Sequence, residues 1–166
     1  MLWIERDFDL NIPSGLFPSL LERLRGTPVR LENLVASLSP DILKEKPGNN
    51  SWSIQENAGH LLAVEILWST RIEDFKKKKE VLMAADMENK KTKKADYNKQ
   101  DINNIISDFH KVRSELVVSL ESLDDETIRH SSLHPRLNKQ MTVPGLMYFI
   151  AEHDDHHLAR ISEVSR

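Results

Sequence analysis

The sequence predicts an all-α protein, a four-helix bundle with an extra short helix near its N-terminus. Three observations favour this fold class. Apolar residues recur three and four positions apart along four long stretches, which is the period of an amphipathic helix. Five glycines and seven prolines in 166 residues are too few for the many turns of an all-β chain. No linker divides these stretches, so four such helices in one chain indicate a bundle.

Length and composition limit the class of protein further. A chain of 166 residues has the size of one ordinary domain, so we expect residues 1–166 to form a single domain with a substantial core. The absence of cysteine excludes disulfides, thiolate metal sites and cysteine nucleophiles. A net charge of −3 argues against nucleic-acid binding. Without an apolar signal at residues 1–10 or a stretch of about 20 apolar residues, we expect a cytoplasmic protein that does not bind membranes.

The N-terminal part of the chain predicts a short helix followed by the first bundle helix. The short helix covers Pro13–Leu24 and is expected to end at Gly26. Thr27 then caps a new helix with Pro28 in its first turn, where a missing backbone N–H costs nothing. The apolar stripe of this new helix consists of Leu31, Leu34, Val35 and Leu38.

The second bundle helix is predicted to begin at Ser51 or Ser53. Glu56 lies three residues after Ser53, so these two side chains are suited to a reciprocal capping box. The preceding Pro47–Asn50 segment predicts a polar turn. The apolar stripe of the helix consists of Ile54, Leu61, Val64, Trp68, Ile72 and Phe75.

Two further bundle helices are predicted in the second half of the chain. One begins after Asp101, and the last begins at Thr142 or Val143. Residues 87–100 are polar, rich in lysine and aperiodic, so we predict a surface loop there. Residues 130–142 also lack helical periodicity. The stripe of the third helix is Ile102, Ile105, Ile106, Phe109, Val112, Leu116 and Leu120, and that of the last is Leu146, Phe149, Ile150, Ile161 and Val164.

Three of the seven histidines are predicted to face the core. His153 and His157 are four residues apart, so on a helix they lie on one face about one turn apart, and that face is the apolar stripe. His60 shares a helix face with Val64 and Trp68. An unpaired buried imidazole costs on the order of a few kcal/mol, and one shared metal ion satisfies all three histidines.

The predicted ligand set points to a transition metal. Three neutral imidazoles suit zinc, nickel, iron or copper and not magnesium or calcium; we expect zinc or nickel first, with iron as the alternative. Three protein ligands leave a coordination position open, as in catalytic sites. The competing interpretation is that these histidines are ordinary core residues, because an HxxxH pair alone is a weak pattern.

Other side chains are weaker candidates. His156 lies on the flank of the helix stripe, where a proton shuttle and an exposed structural residue are both compatible with its position. Glu56 lies one turn before His60 and is suited to orient it or to bind a substrate amine, although the capping box already gives it a structural role. Trp52 is predicted to pack on the end of the bundle and Arg71 to extend towards solvent. No nucleophile motif is present, so any chemistry depends on the metal.

Two segments resemble a known family. Trp52-Ser53-Ile54…His60-Leu61, preceded by Lys46-Pro47, and His153-Asp154-Asp155-His156-His157 within Ile150–Ile161 resemble the DinB/YfiT-like superfamily of metal-dependent enzymes. In that family a "WSI…HL" segment opens the second bundle helix and an "H-D-x-H-H" segment lies on the last. Arg25–Leu31 and the approach from His134-Pro135 to Thr142-Val143 look like its more hydrolase-like branch.

The resemblance covers the chain from about Leu24 onwards and implies a four-helix bundle with an open three-histidine metal site. Matched residue by residue, the ligands are His60, His153 and His157. The family's chemistries include transfer of low-molecular-weight thiols such as bacillithiol to electrophiles and mycothiol-dependent isomerisation. We therefore expect the metal to activate a thiol, or water as the second choice, for attack on a small electrophilic substrate. The resemblance also implies a homodimer. The alternatives are a bundle that binds a metal or small ligand without turnover, and a dimerisation protein whose histidines are core residues.

Overall fold

The structure, a computed structural model, describes residues 3–49 and 51–165. Four long helices form a bundle, which confirms the predicted fold class. In chain order the elements are α1 (Phe17–Val35), α2 (Pro40–Lys44), α3 (Ile54–Lys76), α4 (Lys90–Ala95), α5 (Ile102–Glu121), α6 (Asp125–Arg129), β1 (Ser132–His134), β2 (Lys139–Met141) and α7 (Val143–Val164), with single turns of 3₁₀-helix at Trp3–Glu5, Ser14–Leu16 and Tyr97–Lys99. The predicted turn at Pro47–Asn50 includes Asn50, which lies outside the described residues. Over the described ranges, no helix is long and apolar enough to cross a membrane.

The order of helices around the bundle differs from their order in the chain. α1 packs on α5 and α7, and α3 packs on the same two helices. α1 and α3 therefore lie at opposite corners, and so do α5 and α7. This arrangement makes α3 and α7 direct neighbours although the chain separates them widely, and it brings His60 beside the histidines of α7.

The bundle core consists of two apolar clusters with a polar layer between them. One cluster includes Leu24, Phe75, Leu120 and Ile150, and the other includes Leu31, Ala58, Phe109 and Ile161. Each of the four long helices contributes one buried polar residue at the level between the clusters. These residues, which we call the polar layer, are Thr27, Glu65, Arg113 and Asp154.

Arg113 links the members of the polar layer. Its guanidinium donates to Glu65 Oε1 at 2.6 Å and to Asp154 Oδ2 at 2.6 Å, and Thr27 Oγ1 donates to the same Asp154 oxygen at 2.8 Å. Burial alone would lower the pKa of Arg113, but the carboxylates of Asp154 and Glu65 outweigh this effect and raise it. The layer therefore holds a charged arginine between two buried acids.

Side-chain caps fix where three of the four long helices begin, namely α3, α5 and α7. Ser53 Oγ accepts from Glu56 N at 3.0 Å and Glu56 Oε2 accepts from Ser53 N at 2.9 Å, which is the predicted capping box. Asp101 and Thr142 cap α5 and α7, as the sequence predicts. These caps satisfy backbone donors that a helix N-terminus leaves unpaired.

The predicted break at Gly26–Pro28 is wrong, because α1 continues through Pro28 without interruption. Proline inside a helix leaves the carbonyl four residues earlier without its donor. Here that carbonyl belongs to Leu24, and it accepts from Arg113 Nη1 at 3.0 Å. The polar layer thus supplies the hydrogen bond that the proline removes, and the helix continues.

The loop predicted over residues 87–100 is also partly wrong. This segment forms α4 and a 3₁₀ turn, and it buries Thr92 and Tyr97 against the bundle. Gln55 on α3 donates to the carbonyl oxygen of Gln100 at 2.8 Å and also to that of Tyr97. Residues 130–142 contain the β1–β2 hairpin, whose turn is closed by Asn138 in the left-handed region at φ 52°.

Gly59 permits the close packing of this segment, and Gly59→Ala is expected to destabilise the protein. A Cβ at position 59 would fall within the ring of Tyr97. The tyrosine must then move, at a cost of about 1–3 kcal/mol. Urea denaturation measures the difference. Gly26→Ala is the control, since a Cβ there meets open space; equal stability of Gly59→Ala and wild type would contradict the packing described.

Candidate functional site

Three histidines from α3 and α7 meet in the bundle interior. His60, His153 and His157 are each less than a tenth exposed, and each offers a ring nitrogen within 4.8 Å of those of the other two. The Nε2 atoms of His60 and His153 are 3.3 Å apart. The arrangement with His60 far from the other two, which would have favoured ordinary core histidines, is not found.

Hydrogen bonds orient two of the rings. His157 Nδ1 lies 2.9 Å from Asn57 Oδ1, which can only accept, so Nδ1 carries the proton and Nε2 keeps its lone pair. His60 Nδ1 lies 3.0 Å from Thr92 Oγ1, which leaves its Nε2 for the shared site. His153 Nδ1 is buried without a hydrogen-bond partner among the described residues. The Nε2 atoms of the three rings are therefore the nitrogens available to a common ligand.

Burial keeps the three imidazoles neutral. Burial lowers the pKa of His60 to about 4, and repulsion between the protonated forms of His60 and His156 adds to this effect. Burial and the neighbouring histidines lower the pKa values of His153 and His157 well below the ordinary value of 6.5. At neutral pH the site therefore presents lone pairs, the form of histidine that binds metal ions.

The donor set fits one divalent transition ion. Tetrahedral coordination at zinc–nitrogen distances of 2.0–2.1 Å places two ligand nitrogens about 3.3 Å apart, which equals the separation of His60 Nε2 and His153 Nε2. Two of the rings have their second nitrogen held by Asn57 and Thr92, as metal-binding histidines usually do.

Two tryptophans cover the histidines. The Trp52 ring centroid is 4.7 Å from that of His60 and 6.0 Å from that of His157, to which it is nearly parallel. Trp3 lies edge-on to His153 at 5.4 Å. Trp52, predicted to pack on the end of the bundle, also forms part of the wall around the three histidines.

The histidines open into a cavity of about 480 Å³ between α3, α7 and the 83–92 segment. Most of its wall is apolar, including Val64, Leu67, Met83 and Phe149. Arg71, predicted to extend to solvent, is instead only 1% exposed and lines this cavity. The Arg71 Nε atom is held by the carbonyl oxygen of Met83 at 2.9 Å.

The two weaker candidates occupy different environments. His156 lines the cavity, half-buried, with its ring edge-on to His157 at 5.2 Å. Glu56 lies in the capping box with Ser53 and pairs with Lys46 at 2.7 Å, and it does not line the cavity. His156 is therefore the candidate within reach of a bound molecule.

The sequence interpretation missed several residues of the site. Asn57 precedes His60 by three positions on the same helix, so helical spacing alone predicts that the two side chains lie on the same face. Thr92 gave no signal, because its segment lacks periodicity and reaches His60 only through tertiary packing. His134 is buried beside Phe149, with ring centroids 5.3 Å apart, and also lines the cavity.

The buried histidines predict that the metal-free protein loses stability in mild acid. A histidine whose pKa is lower in the folded than in the unfolded chain favours unfolding as the pH falls below 6.5, and for His60 this continues to about pH 4. Each such histidine removes on the order of 1 kcal/mol per pH unit within that window. Urea denaturation with chelator between pH 7.5 and 5.0 measures the slope.

The control for this experiment is His110→Gln, since His110 lies on the surface beside Glu32. This variant is expected to keep the wild-type slope, whereas His60→Gln is expected to flatten it. A wild-type stability that does not change over this range would contradict burial of neutral histidines.

The fold matches that of solved proteins. YfiT from Bacillus subtilis, described as a probable metal-dependent hydrolase with an unusual four-helix bundle topology, superposes with a TM-score of 0.84 over 98% of this chain and 93% of its own, at 18% identity. A mycothiol-dependent maleylpyruvate isomerase superposes with a TM-score of 0.70 at 11% identity, over 90% of this chain and 60% of its own. At these identities the likeness concerns the fold.

Sequence comparison extends the match. The uncharacterized protein YuaE of Bacillus subtilis is 28% identical over an alignment of 151 residues, and the match covers 81% of this chain and 91% of YuaE. The model of the DinB superfamily matches residues 23–161, which include all four bundle helices except the N-terminal turns of α1 and the last residues of α7. The chain therefore belongs to the DinB superfamily.

Proposed function

We propose that this protein is a metal-dependent enzyme in which His60, His153 and His157 hold one divalent transition metal, zinc or nickel first and iron as the alternative. The observation that carries the proposal is the meeting of three neutral imidazoles at the wall of a large cavity. Bound there with a free coordination position, such an ion supplies a Lewis acid that lowers the pKa of a thiol or water.

The chain's own residues hold and shield this site. Asn57 and Thr92 fix the ring orientation of His157 and His60. The rings of Trp52 and Trp3 cover His60 and His153, and an apolar environment strengthens electrostatic interactions inside it.

We propose His156 as the proton acceptor for the nucleophile. Burial lowers its pKa, and the charges of Arg160 and Arg6 add to this, so the ring is neutral and able to take a proton at pH 7.

The proposed reaction is the transfer of a low-molecular-weight thiol to a small electrophile, with hydrolysis as the second choice. The isomerase of similar fold depends on mycothiol, which supports a thiol partner. YfiT, with the higher TM-score, is described as a probable hydrolase, which supports water as the alternative nucleophile. Both reactions need the same activated nucleophile in an apolar cavity.

Two parallel assays test the proposal. Metal-loaded protein is given bacillithiol or cysteine with 1-chloro-2,4-dinitrobenzene, and separately p-nitrophenyl acetate without thiol. We expect turnover in one assay and its loss by at least about a hundredfold in His153→Ala, since the site then lacks a ligand. Wild-type turnover that His153→Ala leaves unchanged would refute the proposal. Arg129→Gln, at an exposed position, is the control.

We also propose that the chain pairs with a second copy. Val29 on α1 is 50% exposed and Val118 on α5 is 64% exposed, and these two helices pack side by side. Apolar side chains on neighbouring exposed helix faces favour association. Sedimentation equilibrium is expected to give twice the chain mass for wild type and less for Val118→Glu; a wild-type monomer at high concentration would contradict the dimer.

A further inference from the structure

The cavity wall contains three further buried nitrogens that lack hydrogen-bond partners among the described residues. They are Trp68 Nε1, Arg71 Nη1 and His134 Nε2, and all three residues line the cavity. A buried polar group without a partner costs free energy, so native proteins rarely leave one, and three around one cavity indicate a missing ligand.

All three nitrogens are hydrogen-bond donors. Indole and guanidinium nitrogens donate and do not accept. His134 Nδ1 accepts from Leu137 N at 3.2 Å, so the proton of the neutral ring is on Nε2. Burial lowers the pKa of His134 to about 4, which keeps this ring neutral at pH 7. The missing ligand must therefore be an acceptor.

Arg71 places a buried positive charge at this part of the wall. Arg71 is 1% exposed, and burial together with the charge of Arg136 lowers its pKa to about 10, so it stays protonated at pH 7. The nearby Asp74 opposes this decrease, but its oxygens are occupied by Met83 N at 2.7 Å and by Lys79 Nζ at 2.6 Å. A buried guanidinium requires an anionic partner to offset its desolvation.

The donors are close to the histidine cluster. The Trp68 ring centroid lies 5.5 Å from Arg71 Cζ and 5.6 Å from the ring centroid of His153. One indole therefore separates the guanidinium from the three histidines. Most of the cavity wall is apolar, so a molecule that spans this distance needs an anionic end and an apolar body.

We propose that Arg71, His134 and Trp68 bind a carboxylate of the substrate, which makes the substrate a small amphipathic carboxylic acid. The carboxylate accepts from the three donors, and its apolar body places the reacting atom near His60, His153 and His157. The role as a substrate subsite rests on the proposed function, whereas carboxylate binding at Arg71 does not depend on the metal. A planar carboxylate offers enough lone pairs for three donors.

Benzoate and its uncharged isostere benzamide test the site. In a ¹⁵N-labelled, chelator-treated protein, benzoate is expected to shift the Trp68 indole N–H resonance, which is assigned with a Trp68→Phe variant. Benzamide is expected to bind at least about tenfold more weakly, because the charge-assisted hydrogen bond is lost. Inorganic phosphate serves as a second oxyanion, and tighter binding of phosphate than of benzoate would refute the carboxylate assignment.

Variants separate this site from the metal site. Arg71→Met is expected to weaken benzoate binding by at least about tenfold, to weaken benzamide binding less than that, and to leave the metal content unchanged. Arg129→Gln is the surface control. His153→Ala is expected to lose the metal and to retain benzoate binding. Benzoate binding at Arg71 can therefore be established even if the proposed metal-dependent activity is not found.

Benzoate binding that persists in Arg71→Met but disappears on metal removal would place the carboxylate on the metal and overturn the proposal. Equal affinity of wild-type protein for benzoate and benzamide, or an unmoved Trp68 resonance at saturating benzoate, would overturn it as well. These wild-type measurements remain decisive even if Arg71→Met does not fold.

Discussion

Replacing Arg113 with methionine is expected to lower the free energy of unfolding by about 3–5 kcal/mol. The side chain is 1% exposed, and its loss leaves Glu65 and Asp154 buried without a cation. It also removes the donor to the Leu24 carbonyl that Pro28 leaves unpaired within α1. Urea denaturation of the metal-free protein measures the change, so that effects on metal binding do not enter.

The reason for so large an effect is the uncompensated charge and not the lost attraction. Burial raises the pKa of Glu65 and the charge of Asp154 adds to that, while Arg113 lowers it. Without Arg113 the chain must bury two repelling carboxylates or protonate them. Replacing Arg113, Glu65 and Asp154 together by apolar residues is therefore expected to be less harmful than Arg113→Met alone.

Arg129→Gln is the control, because Arg129 is 70% exposed and its pair with Asp125 lies on the surface. It is expected to change the free energy of unfolding by less than about 0.5 kcal/mol. If Arg113→Met were as stable as wild type, the polar layer would not hold the four helices together as described.

Replacing Asn57 with leucine is expected to weaken metal affinity by about 10–100-fold. Asn57 Oδ1 accepts the proton of His157 Nδ1 at 2.9 Å and thereby keeps the His157 Nε2 lone pair directed to the shared site. Without this acceptor the ring can rotate or change tautomer. Competition with a chromophoric chelator measures the affinity for zinc and for nickel.

Asn57→Asp is the matched variant, since its carboxylate keeps an acceptor for His157. We expect its metal affinity to equal or exceed that of wild type. Both variants lose the hydrogen bond from Asn57 Nδ2 to the Ser53 carbonyl at 2.8 Å, so any difference between them reports on the histidine. Equal affinities of the leucine and aspartate variants would contradict an orienting role.

The sequence predicts the parts of this molecule that depend on local chemistry. Helical periodicity indicates the four long helices, and the side chains of Ser53, Asp101 and Thr142 mark three of their N-termini correctly. The spacing of His153 and His157 predicts two inward histidines on one face. That His60, His153 and His157 bind a metal stays a prediction, although the structure brings the three side chains together.

The remainder depends on contacts between distant segments. From local sequence alone, Pro28 predicts a helix break. The helix continues because Arg113, which lies 89 residues from Leu24, donates to the Leu24 carbonyl that Pro28 leaves unpaired. Thr92 lies in a segment without periodicity, and only packing of that segment against α3 places it beside His60. Arg71 resembles an ordinary surface residue, because the 83–92 segment that buries it leaves no periodic signal. Thr92 and Arg71 complete the cavity, but local sequence patterns do not predict their positions.

Elemental analysis of tag-free protein tests the central claim most directly. Wild-type protein is compared with a His60→Ala/His153→Ala variant after both have been exposed to the same transition metals. We expect about one equivalent of zinc, nickel or iron per chain in wild type, and loss of this metal in the variant. Absence of metal from both proteins, or the same content in both, would contradict the account and make the three histidines structural residues of the bundle.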